Sequence, residues 1–468
     1  MVVATVHRRF SQPSLLTVPP PPLTVPPPSL LSQTFASSTA SSPVRTQLST
    51  PPELLQEPPV LTHEELVSAQ TNFEIVAPKV YATDRNHRWI TDSKTGAQAL
   101  FQCLEQGDCG QNQTKVVLIS SHDYIVPLQG GSVGGEAVWA LSTYRALQEM
   151  GYTVLFGNGV EAVSRMYKVF DSLVMMVIAN AEQAFGCFKT NCVRSETNPN
   201  GIPAWKIFSS HFWQGQNNPL GSKWTLSPED VCPYGFGNTY LGYSIEAQCS
   251  KHAFVPYAQR KRQVYVLAKH LKFFLPKVTA WPPSYFDEAA NATGLGFVMA
   301  SRDLPDGPRL GPADLSTSIR NFGADAMRSD TFYDLLSHSV ALVGVGNPAL
   351  SPTPYDALCL GVPFINPINQ WNKKDPEDRK EWQTQHGALK VLSPPYVYHV
   401  FKGDREGFVN AIREAAANPI ESYVLERMKM ASVKDRLGKI LAHDWKEEAA
   451  VLLKARQEGS QKGSVFTL

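Results

Sequence analysis

The sequence predicts an α/β protein built from two Rossmann-like, doubly wound domains in tandem, with helices after the second domain. Short apolar runs of strand length alternate with longer segments of helical periodicity, and this rhythm occurs twice along the chain. Between the two series lie residues 181–260, which are rich in Trp, Asn, Pro and Gly and lack a clear period. This pattern favours a parallel sheet in each domain.

The first series begins at Lys115. Its predicted strands are 116–120, 152–156 and 173–178, and its predicted helices are 136–150 and 161–170. The second series begins at Arg262, with predicted strands 264–267, 296–300, 340–345 and 362–365 and helices that include 329–337 and 355–360. After Arg405, helical periodicity dominates as far as Arg456.

These patterns divide the chain into four parts. Residues 1–60 contain 13 of the 36 prolines and many Ser and Thr, so we expect this segment to be disordered. Residues 61–261 form the first domain, with 181–260 as an irregular insertion suited to substrate binding. Residues 262–420 form the second domain, and 421–468 form C-terminal helices and a tail.

Composition excludes several classes of partner. The formal net charge is +1, which gives no reason to expect nucleic acid or a charged membrane surface as a partner. No apolar run reaches the length of a membrane span. We therefore expect membrane association only through an anchor not present in this chain.

The stretch from Val340 to Pro367 carries the clearest functional pattern. A buried strand leads into a loop with Gly344 and Gly346, and Ser351 and Thr353 then precede a short helix. A glycine loop and a helix start at the carboxyl edge of a parallel sheet can bind an anion through backbone N–H groups. The alternative is an ordinary βαβ unit without a ligand.

The motif Ser-Pro-Thr-Pro-Tyr-Asp-Ala at residues 351–357 resembles the donor-site segment of glycosyltransferase family 18. Asp356 stands where the animal form of the motif has Glu. Further matching segments, in the family's order, are 130–136 (GGSVGGE), 264–269 (VYVLAK), 321–323 (NFG), 385–386 (QH) and 394–397 (PPYV). The resemblance spans residues 115–420 and implies the two-domain GT-B architecture.

The resemblance also implies an inverting transfer of N-acetylglucosamine (GlcNAc) from UDP-GlcNAc to the 6-hydroxyl of an α-1,6-linked mannose on an N-glycan or glycoprotein acceptor. Two alternatives stay open. One is a GT-B enzyme with another nucleotide sugar or acceptor, and the other is a non-catalytic sugar-binding protein.

Glu136 is the predicted general base, because the family has a catalytic Glu at the matching place before a helix. Its alternative role is to stabilise the helix N-terminus through the dipole. Lys269 follows the first strand of the second domain and is predicted to bind the donor diphosphate. Asp356 is predicted to bind hydroxyls of the donor, with helix capping as the alternative.

The remaining predicted site residues divide between donor and acceptor. For the donor they are Gly344, Gly346, Ser351, Thr353, Tyr355, Gln385, His386 and one of Lys373 and Lys374, with Lys374 preferred. For the acceptor they are aromatic residues of the 181–260 region, whose ring faces suit sugar C–H surfaces but equally suit a core: Trp205, Trp213 and Trp224.

We expect no cofactor and no metal, since the sequence has neither an Asp-x-Asp motif nor a metal-ligand cluster. The seven cysteines suggest local bridges Cys103–Cys109, Cys187–Cys192 and Cys232–Cys249, with Cys359 alone. The alternative is seven reduced thiols. With the sequons at Asn112 and Asn291, the pairs favour the secretory pathway and residence in the Golgi lumen.

Overall fold

The computed structural model of the chain describes residues 61–82, 87–130, 134–232, 235–303, 307, 310, 314–323 and 329–468. The segment 1–60, predicted to be disordered, lies outside the described residues. So do residues 131–133 of the glycine loop before Glu136.

The first sheet is wholly parallel, in the order β2-β1-β3-β4-β5-β6. Its core strands have every or nearly every side chain buried, as the continuous apolar runs predict. The strands are β1 (Val116–Ile119), β2 (Thr153–Phe156), β3 (Val174–Asn180), β4 (Ile207–Ser210), β5 (Thr225–Ser227) and β6 (Thr239–Tyr240).

The irregular insertion expected at 181–260 is in part an extension of this sheet. Strands β4, β5 and β6 all lie within it and pair in parallel with one another. They are too short, at four, three and two residues, to show an apolar period in the sequence.

The second sheet has the order β12-β11-β10-β7-β8-β9, with β13 paired to β11. All its pairs are parallel except β11 with β12. The strands are β7 (Gln263–Leu267), β8 (Gly296–Met299), β9 (Ile319–Asn321), β10 (Ala341–Gly344), β11 (Phe364–Gln370), β12 (Gln383–Thr384) and β13 (Val397–Phe401). Two Rossmann-like sheets in tandem form the GT-B architecture, so the predicted fold class is confirmed.

Helices cover both sheets. Those of the first half are α1 (His63–Val80), α2 (Arg88–Gln106), α3 (His122–Leu128), α4 (Gly135–Glu149), α5 (Val160–Phe170), α6 (Ala181–Lys189) and α7 (Glu246–Cys249). Those of the second half and the C-terminus are α8 (Pro283–Thr293), α9 (Ser329–Ser337), α10 (Thr353–Cys359), α11 (Arg405–Ala417), α12 (Met430–Ala442) and α13 (Trp445–Gln457).

The C-terminal helices return to the first half of the chain. Helix α12 packs on α4, and Trp445 at the start of α13 lies with its ring 4.7 Å from that of Phe208 on β4. Lys434 on α12 also pairs with Glu149 on α4 at 3.1 Å. The chain therefore crosses from the second half back to the first, and the two sheets share one buried core cluster.

Two of the three predicted disulfides are present, and the third was predicted wrongly. Cys103–Cys109 and Cys187–Cys192 bridge with Cα atoms 4.7 and 4.8 Å apart. Cys249, however, pairs with Cys359, and Cys232 is an exposed free thiol. The reason is packing, since α7 lies against α10 and brings two cysteines 110 residues apart within reach.

Candidate active site

Each sheet has one topological switch point, a pair of neighbouring strands from which the chain connections run to opposite sides of the sheet. In the first sheet it lies between β1 and β3, and in the second between β7 and β10. Ligands of open α/β sheets bind outside the carboxyl ends of strands at such points. The loops that follow these four strands carry most of the predicted site residues.

The two halves touch at the N-termini of α4 and α10. A Cβ added to Gly135 would lie 3.0 Å from Cδ of Pro352 and 3.4 Å from the ring of Phe212. Glu136 follows Gly135 in the first turn of α4 and is exposed. The structure therefore brings the predicted base next to the segment predicted to bind the donor.

A second carboxylate accompanies Glu136 at the edge of the first sheet. Asp123 lies in the first turn of α3, directly after β1, and its backbone N–H donates to Ser121 Oγ at 3.3 Å. Burial raises the pKa of Asp123, and the charges of Glu136 and Glu182 raise it further, while His122 and His211 oppose them. Sequence reasoning missed Asp123, since the packing of α3 on α4 brings it to Glu136.

Basic side chains gather at the facing edge of the second sheet. Lys269 is exposed and follows β7, and its carbonyl accepts from the backbone N–H of Arg302, which follows β8, at 3.3 Å. The pKa of His270 is lowered to about 4, first by burial and then by the positive charges of Lys269, Arg302 and Lys272. These four residues are called the basic edge below, and the positive charges of Lys269, Arg302 and Lys272 favour an anion there. Arg302 and Lys272 were not predicted.

The glycine loop after β10 is held by a glutamine. Gln385 is buried, its Oε1 accepts from the Gly346 N–H at 2.8 Å, and its Nε2 donates to the Pro348 carbonyl at 3.1 Å. A Cβ on Gly344 would collide with the Gln385 side chain, and Gly346 has φ +101°. Both glycines are thus required by the loop, and the Gln385 amide shapes that loop from within.

Helix α10 has only seven residues, so its dipole is small. Ser351 and Thr353 are half-buried at its start, and Ser351 Oγ accepts from the Thr353 N–H at 3.3 Å. Asp356 is 6% exposed and its carboxyl accepts from the Tyr333 hydroxyl of α9. The structure thus directs Asp356 into the core and leaves Ser351 and Thr353 nearer the cleft.

Tyr355 and His386 lie in a buried cluster behind the start of α10. Their rings meet edge to face with centroids 4.8 Å apart. His386 pairs through its backbone with the Asn366 amide, and burial lowers the pKa of its ring to about 3. The Tyr355 hydroxyl donates to Glu229 and accepts from Arg427.

The three tryptophans predicted to bind the acceptor do not lie together in the structure. Trp205 and Trp224 precede β4 and β5 and so lie at the amino edge of the sheet, away from the switch point, with Trp224 2% exposed. Trp213 follows β4 at the carboxyl edge and is 49% exposed. The structure therefore brings Trp213 alone to the edge that carries Glu136.

Lys373 and Lys374 are both exposed in the loop after β11. The Lys373 ammonium lies 3.3 Å from the ring centroid of Trp371. The backbone N–H of Lys374 donates to the Asn372 side chain at 3.0 Å. Neither lysine is part of the basic edge.

Among the described residues, no group of three or more His, Cys, Asp or Glu side chains converges to hold a metal ion. In the same part of the chain, no helix is both long and apolar enough to cross a bilayer.

Comparison with known proteins adds a distant relationship. No family model matches the chain. The alpha-1,6-mannosylglycoprotein 6-beta-N-acetylglucosaminyltransferase A of Homo sapiens and that of Rattus norvegicus are each 24% identical to it over 225 residues. That match covers 45% of this chain and 28% of the relatives' length.

Two solved structures are similar in fold. The UDP-GlcNAc 2-epimerase from Neisseria meningitidis, bound to UDP-GlcNAc, has a TM-score of 0.39 and 10% identity, covering 70% of this chain and 99% of the epimerase. The lipopolysaccharide outer core galactosyltransferase WaaB has a TM-score of 0.39 and 13% identity, and the match covers 69% of this chain and 98% of WaaB. Identities this low do not bear on substrate.

Proposed function

We propose that this chain is an inverting glycosyltransferase that moves GlcNAc from UDP-GlcNAc to the 6-hydroxyl of an α-1,6-linked mannose on an N-glycan. One observation carries the proposal: the carboxylate edge with Glu136 and Asp123 meets the donor-site segment where Gly135 contacts Pro352. The basic edge lies at the neighbouring switch point of the second sheet.

The chemistry requires a base on one side and an anion site on the other. Glu136 takes the proton of the acceptor hydroxyl as its oxygen attacks the anomeric carbon from the face opposite the leaving group. The bond from that carbon to the diphosphate oxygen breaks, and UDP leaves with the bonding electrons. Lys269 and Arg302 stabilise the charge that grows on the diphosphate, which is the role of positive side chains in phosphate-leaving reactions.

The donor and acceptor identities rest on the distant relatives, whose names specify GlcNAc transfer to an α-1,6-mannosyl glycoprotein. The motif at residues 351–357 supports a nucleotide-sugar donor. Trp213, exposed at the carboxyl edge of the first sheet, is the aromatic contact proposed for the acceptor.

We further propose that the reaction needs no metal and takes place in the Golgi lumen. Disulfides at Cys103–Cys109 and Cys187–Cys192 suit an oxidising compartment. Of the two sequons, Asn291 is exposed on α8, whereas the Asn112 amide donates to the Met150 carbonyl at 2.9 Å. A glycan on the native protein is therefore expected at Asn291.

The test is a UDP-release assay with a panel of nucleotide sugars and a biantennary N-glycan as acceptor, with and without EDTA. The proposal expects release with UDP-GlcNAc alone, dependent on the glycan and unchanged by EDTA. UDP release from a different nucleotide sugar would show that the proposed donor is wrong. Activity that is lost in EDTA and restored by manganese would overturn the metal-free mechanism. No release with any sugar would favour a non-catalytic protein.

A further inference from the structure

A buried polar group links the two halves behind the donor-site segment. The Tyr355 hydroxyl donates to Glu229 Oε1 at 2.7 Å and accepts from Arg427 Nη2 at 2.7 Å. Arg427 Nη2 also lies 3.9 Å from Glu229 Oε2. These three residues, called the interdomain triad below, form a continuous chain from carboxylate through hydroxyl to guanidinium.

Each member of the interdomain triad belongs to a different part of the fold. Glu229 follows β5 at the carboxyl edge of the first sheet, and Tyr355 lies on α10 beside the second sheet. Arg427 lies in the 3₁₀ turn Glu426–Met428, just before the chain returns to the first half as α12. Arg427 also donates to the Ala388 carbonyl at 3.1 Å, in the second half. Sliding one half against the other therefore breaks the hydrogen bond from Tyr355 to Glu229 and separates Glu229 from Arg427.

The interdomain triad is buried deeply enough for these bonds to matter. Glu229 is 3% exposed and Tyr355 is fully buried. Glu229 Oε2 accepts no hydrogen bond from the described residues. A buried carboxylate is costly unless it is paired, so an arrangement that separates Glu229 from Tyr355 and Arg427 is strongly disfavoured. Apolar packing alone would not require the two halves to keep one particular relative position, whereas these hydrogen bonds do.

We propose that Glu229 and Arg427 are positioning residues, which act through Tyr355 to hold α10 and the preceding Ser351–Pro352 segment in the arrangement that the donor requires. The identity of the donor rests on the function proposed above. The mechanical role of the interdomain triad does not, because it follows from the contacts alone.

The ionisation state of Glu229 gives the triad a pH dependence. Burial raises the pKa of Glu229 to about 7, against the opposing effects of Arg427, the Tyr355 hydrogen bond and Arg436, while Asp230 raises it slightly. The ionised carboxylate keeps the charge that faces Arg427, but the protonated carboxyl costs less to bury. Because the buried arrangement raises this pKa from 4.5, it binds the proton more tightly than an arrangement that exposes Glu229. The triad is therefore favoured below pH 7 and loses stability as the pH rises through 7.

The first experiment measures the triad without any ligand. Amide hydrogen exchange of the peptide that contains α10 is compared, at pH 8 and constant temperature, among the wild type, Glu229→Gln, Tyr355→Phe and the double variant. We expect exchange about tenfold faster in Tyr355→Phe, the factor that corresponds to one hydrogen bond. The double variant should be no faster than the faster single variant, since both changes act on one coupled unit.

Tyr243→Phe is the matched control. Its ring lies 6.0 Å from that of Tyr355 and is equally buried, but its hydroxyl has no hydrogen-bond partner among the described residues. Exchange in α10 should not change in this variant. Equal acceleration by Tyr243→Phe, or additive effects of the two triad variants, would overturn the proposal.

The second experiment measures donor use across pH 6 to 8.5. Tyr355→Phe should raise the KM for the donor about tenfold and leave the acceptor KM unchanged. In the wild type the donor KM should rise as the pH rises above 7, and in Glu229→Gln, which cannot ionise, the donor KM should be nearly independent of pH. Folded variants with faster exchange but an unaltered donor KM would reduce the triad to a structural role. A wild type that uses no UDP-sugar would contradict the proposed function, and hydrogen exchange would then decide the triad by itself.

Discussion

Gly135 packs closely against Pro352, and a methyl group at position 135 would fit only if Pro352 moved by a few tenths of an ångström. A Cβ on Gly135 would lie 3.0 Å from Cδ of Pro352. This contact sets the distance between the first turn of α4, which carries Glu136, and the segment proposed to hold the donor. A glycine at position 135 therefore lets the first turn of α4 approach Pro352 this closely.

Gly135→Ala should therefore impair the protein at this contact. The added methyl overpacks it, and we expect a loss of about 1–3 kcal/mol in the free energy of unfolding, together with a lower kcat. Gly438→Ala on α12 is the control, because its Cβ meets Met150 Cε at an ordinary 3.5 Å. That change should stabilise the helix by up to about 1 kcal/mol. Denaturant unfolding and initial rates measure both, and an unimpaired Gly135→Ala would show that the contact is free to open.

Glu136→Gln should remove transfer and leave donor binding nearly unchanged. The amide keeps the shape of the side chain but cannot take the proton of the acceptor hydroxyl, and loss of a general base costs about 10²–10⁴-fold in rate. Glu149→Gln at the other end of α4, where Glu149 pairs with Lys434, is the control and should retain full activity. Turnover in Glu136→Gln equal to that of the wild type would leave Glu136 only its role at the helix start.

Lys269→Ala and Arg302→Ala should each weaken donor binding. Hydrogen bonds to a charged group are worth roughly 10- to 100-fold in affinity, so the KM for the donor should rise by that order. The acceptor KM should stay unchanged, because the basic edge belongs to the second sheet. Lys439→Ala, an exposed residue of α12 paired with Asp435, is the control. If only the acceptor KM rose, the diphosphate would have to bind elsewhere.

Local pattern was sufficient to predict the strands at both switch points and the position of Glu136. Strands such as β1 and β10 are continuous buried apolar runs, and α4 begins where glycines end and helical periodicity starts. These features depend only on residues close together in the chain, so a single sequence is enough to predict them.

The unpredicted residues are those that depend on distant parts of the chain. Arg302 and Glu229 gain their neighbours only when strand order places their loops side by side. Asp123 gains Glu136 through the packing of α3 on α4. The pairing of Cys249 with Cys359 has the same origin, since short spacing pointed to Cys232. The direction of Asp356 into the core likewise depends on α9, which the motif at 351–357 does not contain.

The corrected disulfide pattern predicts unequal contributions to stability. In the chain-entropy model, closing the loop of 110 residues between Cys249 and Cys359 contributes about 5 kcal/mol, and the six-residue separation of Cys103 and Cys109 about 2 kcal/mol. Paired Cys→Ala variants, compared by denaturant unfolding, should show this order. Cys232 should react with a thiol reagent before reduction. Mapping that finds Cys232 bridged to Cys249 would contradict the structure.

Asp356 should make the folded state less stable as the pH rises. Burial raises its pKa from 3.8 to about 7, so its contribution is fully present below pH 4 and is lost as the pH rises through 7. The shift corresponds to up to about 4 kcal/mol between pH 4 and pH 8, and Glu229 acts in the same direction. Asp356→Asn keeps an acceptor for Tyr333 but cannot ionise, so its free energy of unfolding should fall less between these pH values. Asp435→Asn, an exposed partner of Lys439, should follow the wild type. A wild type and Asp356→Asn with parallel pH profiles in urea would show that the Asp356 carboxyl is ionised in the folded protein throughout this range.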